Sequence, residues 1–178
     1  MSDAFATVPG ARLFYATAGN PQHPALVFVH AGVADHTMWD PQVTEFARDY
    51  FVVRYDTRGF GKTETTDVAF SNRQDLIALL DHLGIQQAVL VGCSRAGQIV
   101  IETTIEFPGR VRGVVSVCGG LSGFDYQPDP SDPRDAVADA QFGAADAAAE
   151  AKDWATLVEL EARIWADGLA QPVGRCPA

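Results

Sequence analysis

Cysteine and histidine are scarce in this sequence, and where they stand excludes several kinds of chemistry. The three cysteines, Cys93, Cys118 and Cys176, are odd in number and lack CxxC spacing, so they read neither as a disulfide framework nor as a zinc site. No metal and no cofactor is called for. The four histidines, His23, His30, His36 and His82, all lie in the first half of the chain. Long apolar runs are missing too: none approaches the roughly 18 residues of a membrane-crossing helix. The first residues have neither the basic stretch nor the apolar core of a secretory signal. Positive charge is short, with 13 Lys and Arg against 23 Asp and Glu, a formal net charge of -10. Such a chain repels phosphate backbones and anionic headgroups. Nucleic acid and membrane surfaces are therefore not expected partners. The expected partner is a small molecule, the expected place the cytoplasm, and the acidity is read as serving solubility.

What is present is an alternation. With 178 residues, 47% of them hydrophobic, the chain can bury a core and has the length of one domain with an appendage. Phe5 to Val8 and Arg12 to Ala16 flank Pro9-Gly10, a dipeptide suited to a type II turn, and predict a hairpin. Ala25 to Val29, Phe51 to Tyr55, Ala88 to Val91 and Val111 to Cys118 are short apolar runs, as expected of strands buried on both faces. Helical signals separate them. Asp40-Pro41 offers an N-cap and a first-turn proline before Val43, Phe46 and Ala47. Ser71 and Gln74 form a capping-box pattern ahead of a Leu76, Leu79, Leu80, Leu83 stripe that Gly84 ends. A third helix carries Ile99, Val100, Thr103 and Phe107 up to Pro108-Gly109. The expected fold class is α/β, a mostly parallel sheet with flanking helices. Its chemistry is sought where the chain leaves the strands, at His30, Asp56 and Gly92. From about Asp125 the pattern changes to a turn-rich stretch and then to alanine-rich helix without strands, which divides the chain into a core, residues 1–124, and a helical segment, residues 125–178. Trp39, Trp154 and Trp165 sit at helical spacing and are read as core packing.

The informative segment is Gly92-Cys93-Ser94-Arg95-Ala96-Gly97. A buried strand meets a helix with no loop residues to spare, which puts Ser94 in a tight, strained turn whose neighbours two positions away must be small. The helix N-terminus then points at the site, where developing negative charge is favoured. Cys93 beside it is read as a small buried side chain rather than a thiol catalyst. This segment resembles the Gly-x-Ser-x-Gly nucleophile elbow of the α/β-hydrolase superfamily, with Ala96 in the last position. Phe28-Val-His30-Ala31-Gly32-Val33 resembles the family's His-Gly-x loop, and Tyr55-Asp56-Thr57-Arg58-Gly59-Phe60-Gly61-Lys62-Thr63 its Asp-x-Arg-Gly-x-Gly-x-Ser loop. The resemblance covers roughly residues 4 to 120 and implies Ser94 as nucleophile. The oxyanion would be held by the backbone N–H groups of Gly32 and Arg95, with Val33 as the alternative to Gly32. The Asp56 loop would be structural. Residues from 125 resemble the family's helical cap.

A serine at the elbow implies acyl chemistry on esters, thioesters or lactones, or carbon–carbon bond hydrolysis; it sets the chain apart from members that open epoxides or haloalkanes with an aspartate. The family's triad runs Ser, Asp or Glu, then His along the chain. All four histidines precede Ser94. His30 is expected to be structural, His23 to lie in a polar connection, His36 in a surface loop and His82 to face solvent. The expectation is therefore an incomplete α/β-hydrolase fold without its catalytic histidine; Asp125 is a candidate for the acid, which in most members of the family lies further along the chain. Three functional outcomes follow: a hydrolase whose base lies outside these residues, an inactive or purely small-molecule-binding protein, or an enzyme reconstituted with a second chain. Substrate and oligomeric state are not legible.

Overall fold

A computed structural model describes residues 2–124, 127, 129, 131–169, 171, 172 and 174. The chain divides into two compact units, Met1–Phe124 and Asp125–Ala178.

The first unit opens on the expected hairpin: β1 (Ser2–Val8) pairs antiparallel with β2 (Ala11–Ala18) through a turn in which Gly10 takes φ 72°. Then come β3 (Ala25–Val29), a 3-10 turn (His36–Trp39), α1 (Asp40–Phe46), β4 (Phe51–Tyr55), the two-residue β5 (Glu64–Thr65), α2 (Asn72–His82), β6 (Ala88–Cys93), α3 (Arg95–Glu106) and β7 (Val111–Val117). The sheet order is β1-β2-β4-β3-β6-β7, with β5 beside β2. β4, β3, β6 and β7 run parallel. The antiparallel hairpin joins them where β2 pairs with β4.

Every residue of β3 is buried, because both faces of the sheet are covered. Val27 and Val29 pack with Leu76, Leu79 and Leu80 of α2 and Ile99 and Val100 of α3. Leu26 and Phe28 face the other way, against Trp39 and Val43. A strand between two helical layers has no polar side, which is why these runs do not alternate. Each fully buried leucine of the α2 stripe stabilises the fold by roughly 1.5–3 kcal/mol relative to exposure. The α2 start follows its sequence signal, with the Ser71 hydroxyl accepting from the Gln74 N–H. The α1 start does not: Trp39 is the N-cap residue, and Asp40 is already helical and pairs with Arg54. β7 also departs from expectation. It pairs only with β6 among the described strands, so Val114, Val115 and Val117 are exposed instead of buried.

The second unit is helical. α4 (Pro133–Glu150) is capped by Asp132 and α5 (Trp154–Ala162) by Asp153; a π-helical turn (Arg163–Asp167) follows. α4 and α5 pack on each other. Trp154 and Trp165 are 61% and 51% exposed, against the expected core role; Trp165 touches Phe142 and donates to Glu161. No helix among the described residues is long and apolar enough to cross a membrane. Asp125 and Cys176 lie outside the described residues.

One buried ion pair ties the sheet to its helical layer. Arg58, in the loop after β4, donates bidentately to Asp75 of α2 at 2.7 and 2.8 Å, and also to the carbonyl of Pro9 in the hairpin turn. Both side chains are buried. Removing one partner leaves the other charge desolvated and alone, which costs about 3–5 kcal/mol. Asp75→Asn is accordingly expected to lower the urea midpoint by an amount equivalent to about 3 kcal/mol or more; a change below about 1 kcal/mol would mean that water already reaches this pair.

Candidate active site

Ser94 stands at the corner between β6 and α3 with φ 54° and ψ −121°, a conformation that a side chain adopts only under strain. Close packing on every side imposes it. A Cβ at Gly92 would sit 2.1 Å from the Ala96 carbonyl oxygen, and one at Gly97 would sit 2.6 Å from the Gly119 Cα and the Ser116 Oγ. The Ser94 N–H is held by the Val117 carbonyl of β7 at 2.8 Å. The turn leaves the Ser94 side chain half-buried rather than fully exposed, and its hydroxyl has no hydrogen-bond partner among the described residues. Cys93 is half-buried, and burial raises its thiol pKa, so the thiol is held in its less reactive form.

The loop after β3 meets this corner. A Cβ placed on Gly32 would lie 3.6–3.7 Å from the Arg95 side chain, so the two residues expected to supply amides are neighbours. The Ala31 N–H is taken by the Met38 sulfur and the Ala34 N–H by the Ala31 carbonyl. The N–H groups of Gly32 and Val33 are left without a partner among the described residues, which keeps both as candidate donors. Arg95 and Ala96 open α3, where no earlier turn supplies carbonyls for their N–H groups. A hydroxyl beside such free amides can attack a carbonyl whose oxygen they would then stabilise.

Two of the four histidines are committed elsewhere. His30 is fully buried; its Nε2 accepts from the Thr57 N–H at 3.0 Å, so Nδ1 carries the proton and donates to the Ala31 carbonyl at 2.7 Å. Its lone pair is spent on a backbone amide. Burial, followed in effect by the nearby Arg95 charge among the depressing influences, lowers its pKa. His36 is buried, not in a surface loop: its backbone N–H and Nδ1 both meet Asp56 Oδ1 at 2.8 Å. Its Asp56 partnership was not legible, since the two residues are far apart in sequence. His82 is exposed, with Nε2 3.3 Å from the Tyr15 hydroxyl, and His23 is half-buried.

Asp56 is the hub of the neighbouring loop. Besides His36, it accepts the Lys62 N–H on Oδ2, and its backbone carbonyl accepts from the Thr63 hydroxyl. Asp35, His36 and Asp56 bring ligand atoms within 4.8 Å of one another, but Thr37 already donates twice to Asp35 Oδ1, and His36 and Lys62 donate to the two oxygens of Asp56. Thr57 was missed by the sequence reading. Its N–H orients His30, and its hydroxyl accepts from Arg95 Nη2 at 2.7 Å. An apolar groove of about 340 Å³ lies on the α1 face of the sheet, lined by Phe28, Trp39, Phe46, Val91 and Val115 among others; neither Ser94 nor Gly32 lines it.

A strained serine elbow at the carboxyl end of a central parallel strand defines a class of α/β proteins. The chain belongs to the α/β hydrolase fold family, whose sequence profile matches residues 24–158. It is 39% identical over 112 residues to 3-oxoadipate enol-lactonase 2 of Acinetobacter baylyi, covering 61% of this chain and 42% of that one. It is 32% identical over 124 residues to bifunctional epoxide hydrolase 2 of Mus musculus, covering 66% of this chain and 22% of that one. Among solved structures, the enol-lactonase from Burkholderia xenovorans superposes with a TM-score of 0.58 at 30% identity, over 62% of this chain and 44% of that one. The chain thus spans less than half the length of these relatives.

Two outcomes are expected. His30 has a depressed folded pKa, so between that value and the unfolded value of about 6.5 the unfolded state binds more protons. Its contribution is fully present above pH 6.5 and is lost as pH falls below it. Urea titrations between pH 5 and 7 should show a steeper fall for the natural chain than for His30→Gln; parallel curves would mean that His30 is not held neutral. Ser94→Gly should raise stability by about 1 kcal/mol, the strain of roughly 1–3 kcal/mol outweighing the glycine entropy of roughly 0.5–1 kcal/mol. A loss of stability would deny that Ser94 is strained.

Proposed function

We propose that this protein hydrolyses a carboxylic ester or lactone through an acyl-enzyme on Ser94. The observation that carries the reading is the strained Ser94 corner, its unpartnered hydroxyl set beside Gly32 and the first turn of α3. Ser94 Oγ attacks the carbonyl carbon and the leaving oxygen departs with a proton. Water then cleaves the acyl ester, releasing acid and free serine. The amides of Gly32 and Arg95 hold the oxyanion, with Val33 the alternative to Gly32. The name of the 39% identical relative supports a lactone. Epoxide opening, which the name of another relative suggests, fits Ser94 poorly. A serine that opened an epoxide would be left as an ether that water does not cleave, whereas an acyl ester is readily hydrolysed.

Among the described residues no histidine hydrogen-bonds Ser94, and His30 and His36 are bound into the fold. The base that takes the serine proton is therefore sought outside the described residues or in a second chain. Asp125 stays a candidate for the acid, and residues 125–178 are read as the start of a helical cap region.

Without a base, acylation is slow, and residual catalysis from the amides alone is of the order of 10³ over water; loss of the base costs on the order of 10⁶ in kcat. The 178-residue chain incubated with p-nitrophenyl butyrate should therefore accumulate a butyryl adduct on the Ser94 peptide over hours, seen by mass spectrometry and absent in Ser94→Ala, with turnover barely above background. Equal labelling in Ser94→Ala would sink the nucleophile assignment. Fast turnover that Ser94→Ala abolishes would place a base within reach of Ser94 after all.

A further inference from the structure

The proposed oxyanion role of Arg95 uses its backbone amide, but its side chain is unusual among the described residues. Among the described residues, every other arginine except the exposed Arg112 of β7 has a carboxylate within salt-bridge distance. Arg95 has none among them, although the residue is half-buried. It is held instead by neutral groups. Nη2 donates to the Thr57 hydroxyl at 2.7 Å, the guanidinium carbon lies 4.9 Å from the centre of the Phe60 ring, and Nε is buried with no acceptor. Desolvation is the largest influence on this cation and acts against its charge. In a chain of net charge -10, rich in carboxylates, Arg95 and the exposed Arg112 are the arginines among the described residues left without one, and of the two only Arg95 is withdrawn from solvent. The unpaired cation stands against Gly32 and one residue from Ser94.

We propose that the Arg95 guanidinium selects substrates that carry a carboxylate near the scissile ester or lactone, pairing with that group while the Arg95 amide faces the developing oxyanion. This rests on the Ser94 reading above and names the substrate class of the same site. The physical case is one of conservation of charge pairing. A desolvated arginine without a counterion is costly, and a bound carboxylate relieves that cost with charge-assisted hydrogen bonds of fixed geometry. Thr57 and Phe60 hold the planar fork in place, so little freedom is lost on binding. Arg95 is then a specificity-determining residue, and the strong negative field of the rest of the chain makes it necessary: without a local cation an anionic substrate would be repelled.

The test compares two probes that share one ester and differ by one charge, monomethyl glutarate and dimethyl glutarate, titrated into the 178-residue chain and followed by the Arg95 Nε–H resonance and by calorimetry. The monoester is expected to bind about tenfold more tightly and to shift the Nε–H signal, and Ser94→Ala should keep that preference. Arg95→Met should bind both probes equally, and Arg95→Lys should retain part of the preference. Should Arg95→Met fail to fold, judged by circular dichroism, the Nε–H shift in the natural chain and the Arg95→Lys comparison still decide. Equal binding of both probes to the natural chain, or a preference that survives in Arg95→Met, would overturn the proposal and leave the Ser94 reading standing on its labelling experiment. Binding of neither probe would overturn the proposal together with the pocket it assumes.

Discussion

Three consecutive residues after β4 hold together the strand ends on which the site is built. Asp56 draws in His36 and the Lys62 amide, Thr57 fixes His30 and Arg95, and Arg58 reaches Asp75 and the hairpin turn. Each is buried, so each interaction works at low effective dielectric and is costly to leave incomplete. The loop after β3, the start of α3, α2 and the hairpin are thus all referred to one short segment. The candidate oxyanion loop and the serine elbow come from different strands, and Thr57 hydrogen-bonds a side chain from each.

The elbow itself is held by exclusion rather than attraction. Ser94 keeps an unfavourable backbone because Gly92 and Gly97 have no room for a Cβ and because β7 receives its N–H. Strain of this kind persists only where the surroundings over-determine it. The rigid parallel strands provide that, with β3 buried on both faces beside β6. What results, among the described residues, is a serine with no partner for its hydroxyl, next to amides without an acceptor, and an arginine without a counterion. All three are incomplete interactions placed side by side, which is what a site for a polar, carbonyl-bearing small molecule requires.

The strands were legible because their runs were continuous and bounded by turn residues; Ala25–Val29 and Phe51–Tyr55 match their expected limits. The serine corner was legible for a related reason: small residues at fixed offsets around a serine between a strand and a helix have few other uses. His36 was misplaced because burial of a polar loop residue depends on a partner twenty positions away, which no local pattern reports. β7 was expected to be buried because its composition matches β3; its exposure follows from its place in the sheet order. Trp154 and Trp165 show the same limit in the helical unit.

The sequence by itself determined the α/β alternation, the serine at the corner and the small residues that force it, because these are encoded in neighbouring positions. Only the tertiary structure decided that His30 has no lone pair to offer, that both oxygens of Asp56 receive protein donors and that, among the described residues, Arg95 alone of the half-buried arginines lacks a carboxylate. Those facts concern which groups remain unsatisfied, and satisfaction is settled by contacts between residues that are distant in the chain and adjacent in space.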